Sequence, residues 1–218
     1  MQDADRAEHA DAHGTLTRPV GERIGILGGT FDPPHLGHLA LAYDALEQLP
    51  LDRVLLIPAA RQPLKATAEM SAAEDRVAMS AHLAALDPRI AVERVEVDRG
   101  GLSFMVDTVR TLCERHPQAQ FVLVMGEDTA ATLPQWKEPE ALAALVQVAV
   151  AVRGERPSQG ARTLPSGFDA RWLGARQIDL SASELRARVR AGHAIRGLVP
   201  DAVADYIETR GLYRPSTQ

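Results

Sequence analysis

Residues 25–38 read Gly-Ile-Leu-Gly-Gly-Thr-Phe-Asp-Pro-Pro-His-Leu-Gly-His. The apolar run Ile24–Leu27 ahead of the glycines predicts a buried parallel strand. Leu36, Leu39, Tyr43 and Leu46 then recur at helical spacing until Pro50 stops the pattern. The stretch is therefore a strand–loop–helix junction. Its glycines let the backbone approach a ligand closely. A helix start attracts anions through its unpaired N–H groups and its dipole. Glycines, a threonine hydroxyl and the imidazoles of His35 and His38, with Gly37 leaving space between them, predict a phosphate cradle at that start.

Outward from this junction, strand and helix patterns alternate. Arg53–Ile57 predicts a second strand ended by Pro58, followed by a loop with Arg61 and Lys65. Ser71 and Glu74 predict a capping box before a helix reaching about Leu86. Ile90–Val97 alternates as a strand does, and Gly100-Gly101 marks a loop. Val106–Arg115 predicts a helix, Phe121–Met125 a central strand, Pro139–Leu145 a helix and Val146–Val152 a strand. Residues 153–168 read as a long loop and Gln177–Leu180 as a strand. Ser181 with Glu184 forms a second capping box, and helices over about 183–191 and 200–210 close the chain, the latter stopped by Gly211. Such alternation predicts a single-domain α/β fold with a doubly wound parallel sheet. Ligands bind such sheets beyond the carboxyl ends of the strands, where Gly28–His38, Arg61, Lys65, Gly126–Asp128 and Ser181–Arg186 all fall.

Bulk properties narrow the function. The chain has 218 residues and a formal net charge of −5, so no basic field points to nucleic acid. No apolar run approaches the roughly 18 residues of a membrane span, and the start lacks the basic-then-apolar order of a secretion signal. The lone Cys113 excludes an intrachain disulfide and a cysteine zinc cluster. A cytoplasmic protein is expected. Residues 1–22 are polar, acidic and Ala-rich, which predicts a disordered extension before a domain over 23–218. The first strand is not followed by Gly-x-Gly-x-x-Gly, and no Gly-x-x-x-x-Gly-Lys-Ser/Thr occurs. Dinucleotide dehydrogenases and P-loop enzymes are set aside.

Gly-Gly-Thr-Phe-Asp-Pro-Pro-His-Leu-Gly-His (28–38), Gly-Glu-Asp (126–128), Leu-Pro-Gln-Trp (133–136), Ser-Ala-Ser-Glu-Leu-Arg (181–186) and Gly-Leu-Tyr (211–213) together resemble the HxGH-type nucleotidyltransferases. More narrowly, the chain resembles the bacterial nicotinate mononucleotide adenylyltransferases from about Arg23 to Tyr213. The resemblance implies a Rossmann-like nucleotidyltransferase fold. It also implies transfer of AMP from ATP to nicotinate mononucleotide, giving nicotinate adenine dinucleotide and pyrophosphate in NAD biosynthesis. It gives catalytic roles to His35, His38 and Lys65, and ATP contacts to Gly28, Gly29, Thr30, Phe31, Gly126, Asp128, Ser181, Ser183 and Arg186. Trp136, with Ser103 and Met105, would receive the pyridine nucleotide. Mg²⁺ is implied, held mainly through the ATP phosphates, with no metal-ligating side chain.

The chain departs from the family pattern at four places. Leu64 replaces the histidine of Pro-His-Lys, Ala182 and Ser183 replace Ser-Thr, Lys137 stands where an aromatic is frequent, and Leu102-Ser103-Phe104-Met105 replaces Pro-Ser-Tyr-Thr. The alternatives are a sister adenylyltransferase, such as one acting on phosphopantetheine, and a non-catalytic nucleotide sensor. A homo-oligomer stays open.

Overall fold

Each strand of the sheet sends alternate side chains to opposite faces, and both faces are apolar because both are covered. The computed structural model describes residues 21–63, 70–153, 164, 167–176 and 178–215. The expected extension up to residue 20, Leu64, Lys65, most of the expected loop over 153–168 and Gln177 lie outside the described residues. The elements run β1 (Arg23–Gly29), α1 (Leu36–Gln48), β2 (Arg53–Pro58), α2 (Ala73–Ala84), β3 (Ile90–Val92), α3 (Val95–Arg99), α4 (Met105–Arg115) and β4 (Gln120–Gly126). They continue with α5 (Glu127–Ala130), a 3-10 turn (Leu133–Gln135), α6 (Pro139–Ala143), β5 (Val146–Arg153), β6 (Ala170–Ala175), α7 (Ala182–Arg190) and α8 (Asp201–Arg210).

The sheet has six parallel strands in the order β3-β2-β1-β4-β5-β6. This is the doubly wound architecture expected from the alternating patterns. Ile24, Ile26, Leu55, Ile57 and Leu123 pack on one face against Val106, Val109 and Leu112 of α4 and Leu142 of α6. Leu27, Val54 and Leu56 pack on the other against Leu39, Ala42 and Leu46 of α1 and Leu83 of α2. A third cluster joins Met79, Leu185, Val203 and Ile207, tying α2, α7 and α8 together. No helix among the described residues is long and apolar enough to cross a membrane.

Several local expectations are corrected. The strand expected over Ile90–Val97 ends at Val92, and Val95–Arg99 is a helical turn. The period-2 pattern misleads because it continues past the last residue paired with β2, Val92, into a helical turn in which Val95 and Glu96 are both buried. The Ser71–Glu74 capping box is absent: α2 starts after Ala72 with no side-chain cap. The backbone of Ser71 is already engaged, its N–H donating to Asp32 and its C=O accepting from Arg76. Residues 178–180 form no strand. The sixth strand lies earlier, at Ala170–Ala175, paired with β5 from Val148↔Ala170 onward. The other capping box is half present, with the Ser181 hydroxyl accepting from the Glu184 N–H.

Candidate active site

The site opens where the strand order reverses. β1 and β4 pair only from Arg23↔Gln120 to Ile26↔Leu123. Beyond that register β1 runs on through Gly28 and Gly29, and β4 through Val124 and Met125, with no ladder between them. A cavity of about 290 Å³ fills the resulting crevice, with Gly28, Gly29, Val124 and Met125 in its wall. This is the switch-point position at which doubly wound sheets bind ligands. The Met105 side chain lies across Gly28, where an added Cβ would fall 2.7 Å from its methyl group. A side chain at residue 28 would therefore have to displace the end of the Met105 side chain from the cavity floor.

From those glycines the chain enters the cradle. His35 is the N-cap of α1, and its backbone N–H donates to His38 Nδ1 at 3.1 Å. Accepting at Nδ1 leaves neutral His38 with its proton on Nε2. The two imidazoles lie with ring centroids 3.8 Å apart, and the Phe31 ring sits 4.9 Å from His38. A Cβ at Gly37 would meet the His35 ring at 2.9 Å, so glycine is what lets the imidazoles come into contact. Buried His35 Nδ1 faces the His38 N–H in a capping-box arrangement but makes no well-aligned hydrogen bond. A buried polar atom so poorly paired carries a desolvation cost that a ligand can relieve.

Burial lowers His35 from its ordinary 6.5 to about 4. His38 is lowered well below the same value by burial and then by His35. Both are neutral at pH 7, so the cradle offers N–H donors rather than charges. The consequence for stability has a definite sign. Between about 4 and 6.5 the unfolded chain binds a proton at residue 35 that the folded chain refuses, so stability is lost as pH falls through that window. At 1.36 kcal/mol per pKa unit, His35 alone is worth about 3 kcal/mol. Thermal melts from pH 7 to 4 are expected to fall more steeply for the native chain than for His35→Asn. Parallel curves would contradict it.

Asp32, 1 % exposed, is the hub of the loop. Its carboxylate accepts from the Ser71 N–H at 3.1 Å and from the Tyr213 hydroxyl at 2.6 Å. Its carbonyl accepts from Arg186 Nη1 at 2.8 Å, while Nη2 of the same residue donates to Ser183 Oγ. The phosphate-type residues of α7 are thus brought onto the loop of β1. Arg76, also 1 % exposed, donates to the carbonyls of Thr30, Ala59, Ala60 and Ser71. One guanidinium holds both the β1–α1 loop and the segment after β2.

The expected site residues divide into two groups. Gly28, Gly29, Asp128, Ser103, Met105 and Trp136 line the cavity. Thr30, Phe31, His35, His38, Ser183 and Arg186 gather around the cradle loop, and Ser181 caps α7 beside them. The Phe31 ring is buried against Gly29, so only its backbone is available to a nucleotide. Thr30 donates its hydroxyl to Gln62. Gly126 is the N-cap of α5 with open space at its Cα, and Asp128 lies in the first turn rather than at the cap. Lys65 lies outside the described residues.

At the far wall, Trp136 is fixed by its indole N–H donating to Thr132 Oγ1 at 2.9 Å. Lys137 stands 5.1 Å over the Phe104 ring and is paired with Asp107 at 2.9 Å. Sequence reasoning missed Glu96, which lines the cavity while 3 % exposed. It accepts from Thr108 at 2.7 Å and bonds Ser103, and burial raises its carboxyl above the usual range. Ser103 Oγ in turn accepts from the Ala60 N–H. Ser103 is therefore spent on fixing the wall. No local signal marks Glu96, because its partners come from residues 103 and 108. Among the described residues, no three His, Cys, Asp or Glu side chains converge to hold a metal ion.

Comparison with known proteins agrees with this geometry. A cytidylyltransferase-like family model matches residues 26–188. A probable nicotinate-nucleotide adenylyltransferase of Gemmatimonas aurantiaca is 48% identical over 196 residues, covering 88% of this chain and 92% of the relative. One from Herpetosiphon aurantiacus is 40% identical over 208 residues, covering 88% and 98%. Among solved structures, the nicotinic acid mononucleotide adenylyltransferase of Plasmodium falciparum complexed with NaAD superposes with a TM-score of 0.71 at 19% identity, covering 88% of this chain and 97% of that one. At that identity the superposition speaks for the fold.

Proposed function

The chain belongs to the cytidylyltransferase-like family, among its nicotinate-nucleotide adenylyltransferases, and from that premise we propose that it transfers AMP from ATP to nicotinate mononucleotide, releasing pyrophosphate and nicotinate adenine dinucleotide in NAD biosynthesis. The observation that carries the reading is one continuous loop. Its glycines line the switch-point cavity, and its far end holds two imidazoles in tilted ring contact, one with a buried nitrogen that makes no well-aligned hydrogen bond. We assign the reaction to the cytoplasm, a reading supported by the lone, half-buried thiol of Cys113, which suits a reducing compartment.

The acceptor phosphate is anionic near pH 7 and needs no general base. One of its oxygens bonds to the α-phosphorus of ATP as the bond to the β-phosphate oxygen breaks. The electron pair leaves with pyrophosphate. Catalysis then rests on positioning two polyanions and stabilising charge on the leaving group. His38 Nε2–H and the His35 ring serve as donors to phosphate oxygens. The arriving negative charge raises their pKa values, so each gains positive character when it is needed. Ser181, Ser183 and Arg186 extend the anion-binding surface from α7, with Lys65 as a further cation. Mg²⁺ accompanying ATP would supply cationic charge at the transferring group, with no cluster of His, Cys, Asp or Glu side chains among the described residues to hold it.

The cavity takes the pyridine nucleotide between Trp136 and the start of α4. That helix begins without a side-chain cap, and while the Asp107 N–H donates to the Phe104 carbonyl, the N–H groups of Met105 and Val106 lack intrahelical partners. A nicotinate carboxylate accepts from such donors. A carboxamide presents its own NH₂ to at least one of them. One mismatch of about 1–3 kcal/mol corresponds to roughly 10–100-fold in kcat/KM. The acid is expected to be preferred by that factor. Trp136→Ala is expected to raise KM for both acceptors about tenfold and to preserve their ratio, since stacking acts on both rings alike. Steady-state kinetics on the two acceptors decide it. Equal kcat/KM would refute the selectivity, and an unchanged KM would return Trp136 to a packing role.

A further inference from the structure

We infer that Tyr213, at the described C-terminal end of the chain, is a positioning residue for the triphosphate half of the site, acting through Asp32 rather than on the substrate. The inference rests on the adenylyl-transfer reading above. After Gly211 ends α8 in the left-handed conformation, Leu212 folds back to donate to the Ile207 carbonyl. Tyr213 is itself left-handed at φ 64°. A side-chain-bearing aromatic held there has a conformational cost, and contacts around it must fix it. The residue belongs to the small core of Met79, Leu185 and Ile207. From that core its hydroxyl donates to Asp32 Oδ1 at 2.6 Å.

Asp32 is where this bond matters. Its carboxylate has two donors, the Tyr213 hydroxyl and the Ser71 N–H, and its carbonyl holds Arg186. Asp32 stands between Thr30, whose carbonyl is fixed by Arg76, and His35, which caps α1. Removing the Tyr213 hydroxyl leaves the buried carboxylate with the Ser71 N–H as its donor and frees the segment to pivot about the Arg76 anchor. The groups displaced are the imidazoles and Arg186. The far wall, built on Glu96, Ser103 and Trp136, has no bond to Asp32. The effect is therefore directional, reaching the ATP side and sparing the acceptor side.

The test is calorimetric binding of a non-hydrolysable ATP analogue, with acceptor KM measured in parallel. Tyr213→Phe is expected to weaken the analogue at least fivefold and to leave acceptor KM within twofold. Leu212→Ala, which damages the same core without touching Asp32, is expected to lower the melting temperature and leave analogue affinity within twofold. Asp32→Asn removes the buried charge, so the double variant D32N/Y213F stays foldable even if Y213F alone does not. In the D32N background, Tyr213→Phe is expected to add less than twofold. The inference is overturned if Y213F binds like the native chain, if L212A weakens binding as much, if acceptor KM rises equally, or if the full fivefold persists in D32N. A native chain that binds no analogue would instead overturn the adenylyl-transfer reading.

Discussion

His38→Ala lowers kcat by about 10²–10³-fold, the cost of losing one donor aimed at developing charge, roughly 3–4 kcal/mol. The variant still folds. His38 accepts the His35 N–H through Nδ1, and losing such a cap costs only about 1 kcal/mol. His38→Asn separates the two contributions. Its amide oxygen can take the His35 N–H and restore the cap, but it has no N–H where Nε2 lies. Stability is expected to return in His38→Asn while kcat stays low. If either variant keeps more than about half of native turnover, His38 is a structural residue and the cradle is not the reacting centre.

Arg76→Leu produces the largest loss of stability. The guanidinium is 1 % exposed and satisfies four backbone carbonyls beside the equally buried Asp32. Leucine orphans all four and removes the buried cation beside the Asp32 carboxylate, leaving the part-exposed Arg186 as its neighbour. Breaking a buried charged network typically costs about 3–5 kcal/mol, a large part of the roughly 5–15 kcal/mol that holds a domain together. At about 2–4 °C per kcal/mol for a chain of this size, the melting temperature should fall by roughly 6–20 °C. Arg76→Lys recovers little, because a single ammonium cannot reproduce the planar fork. A fall below about 3 °C for Arg76→Leu would show that water replaces the guanidinium at no cost.

These two residues also show what a sequence can and cannot reveal. His38 announces itself because its partners are local: the capped helix, Gly37 and His35 all lie within three positions. The central strands are legible for a similar reason, since burial on both faces makes Phe121–Met125 a continuous apolar run. Arg76 reads as an ordinary helix cation, because every carbonyl it holds comes from a loop five or more residues away. The Asp32–Tyr213 bond spans 181 positions and leaves no local trace. β6 escaped notice because Trp172 and Leu173 are its only buried residues, too short a signal beside the polar residues around it. Val95-Glu96 shows the converse, a local alternation overridden when a buried carboxylate finds one hydroxyl partner, Thr108, on the next helix and another, Ser103, just before it. The cradle and the cavity were thus readable as separate motifs. Their joining by Arg76 and Asp32 was not.

The most direct test of the central claim is product analysis after incubating the protein with MgATP and, in turn, nicotinate mononucleotide, phosphopantetheine or no acceptor. Nicotinate adenine dinucleotide and pyrophosphate should form in equal amounts, with the nicotinate acceptor turning over fastest and almost no pyrophosphate released without an acceptor. Faster adenylylation of phosphopantetheine, or ATP bound without any adenylylated product, would contradict the account.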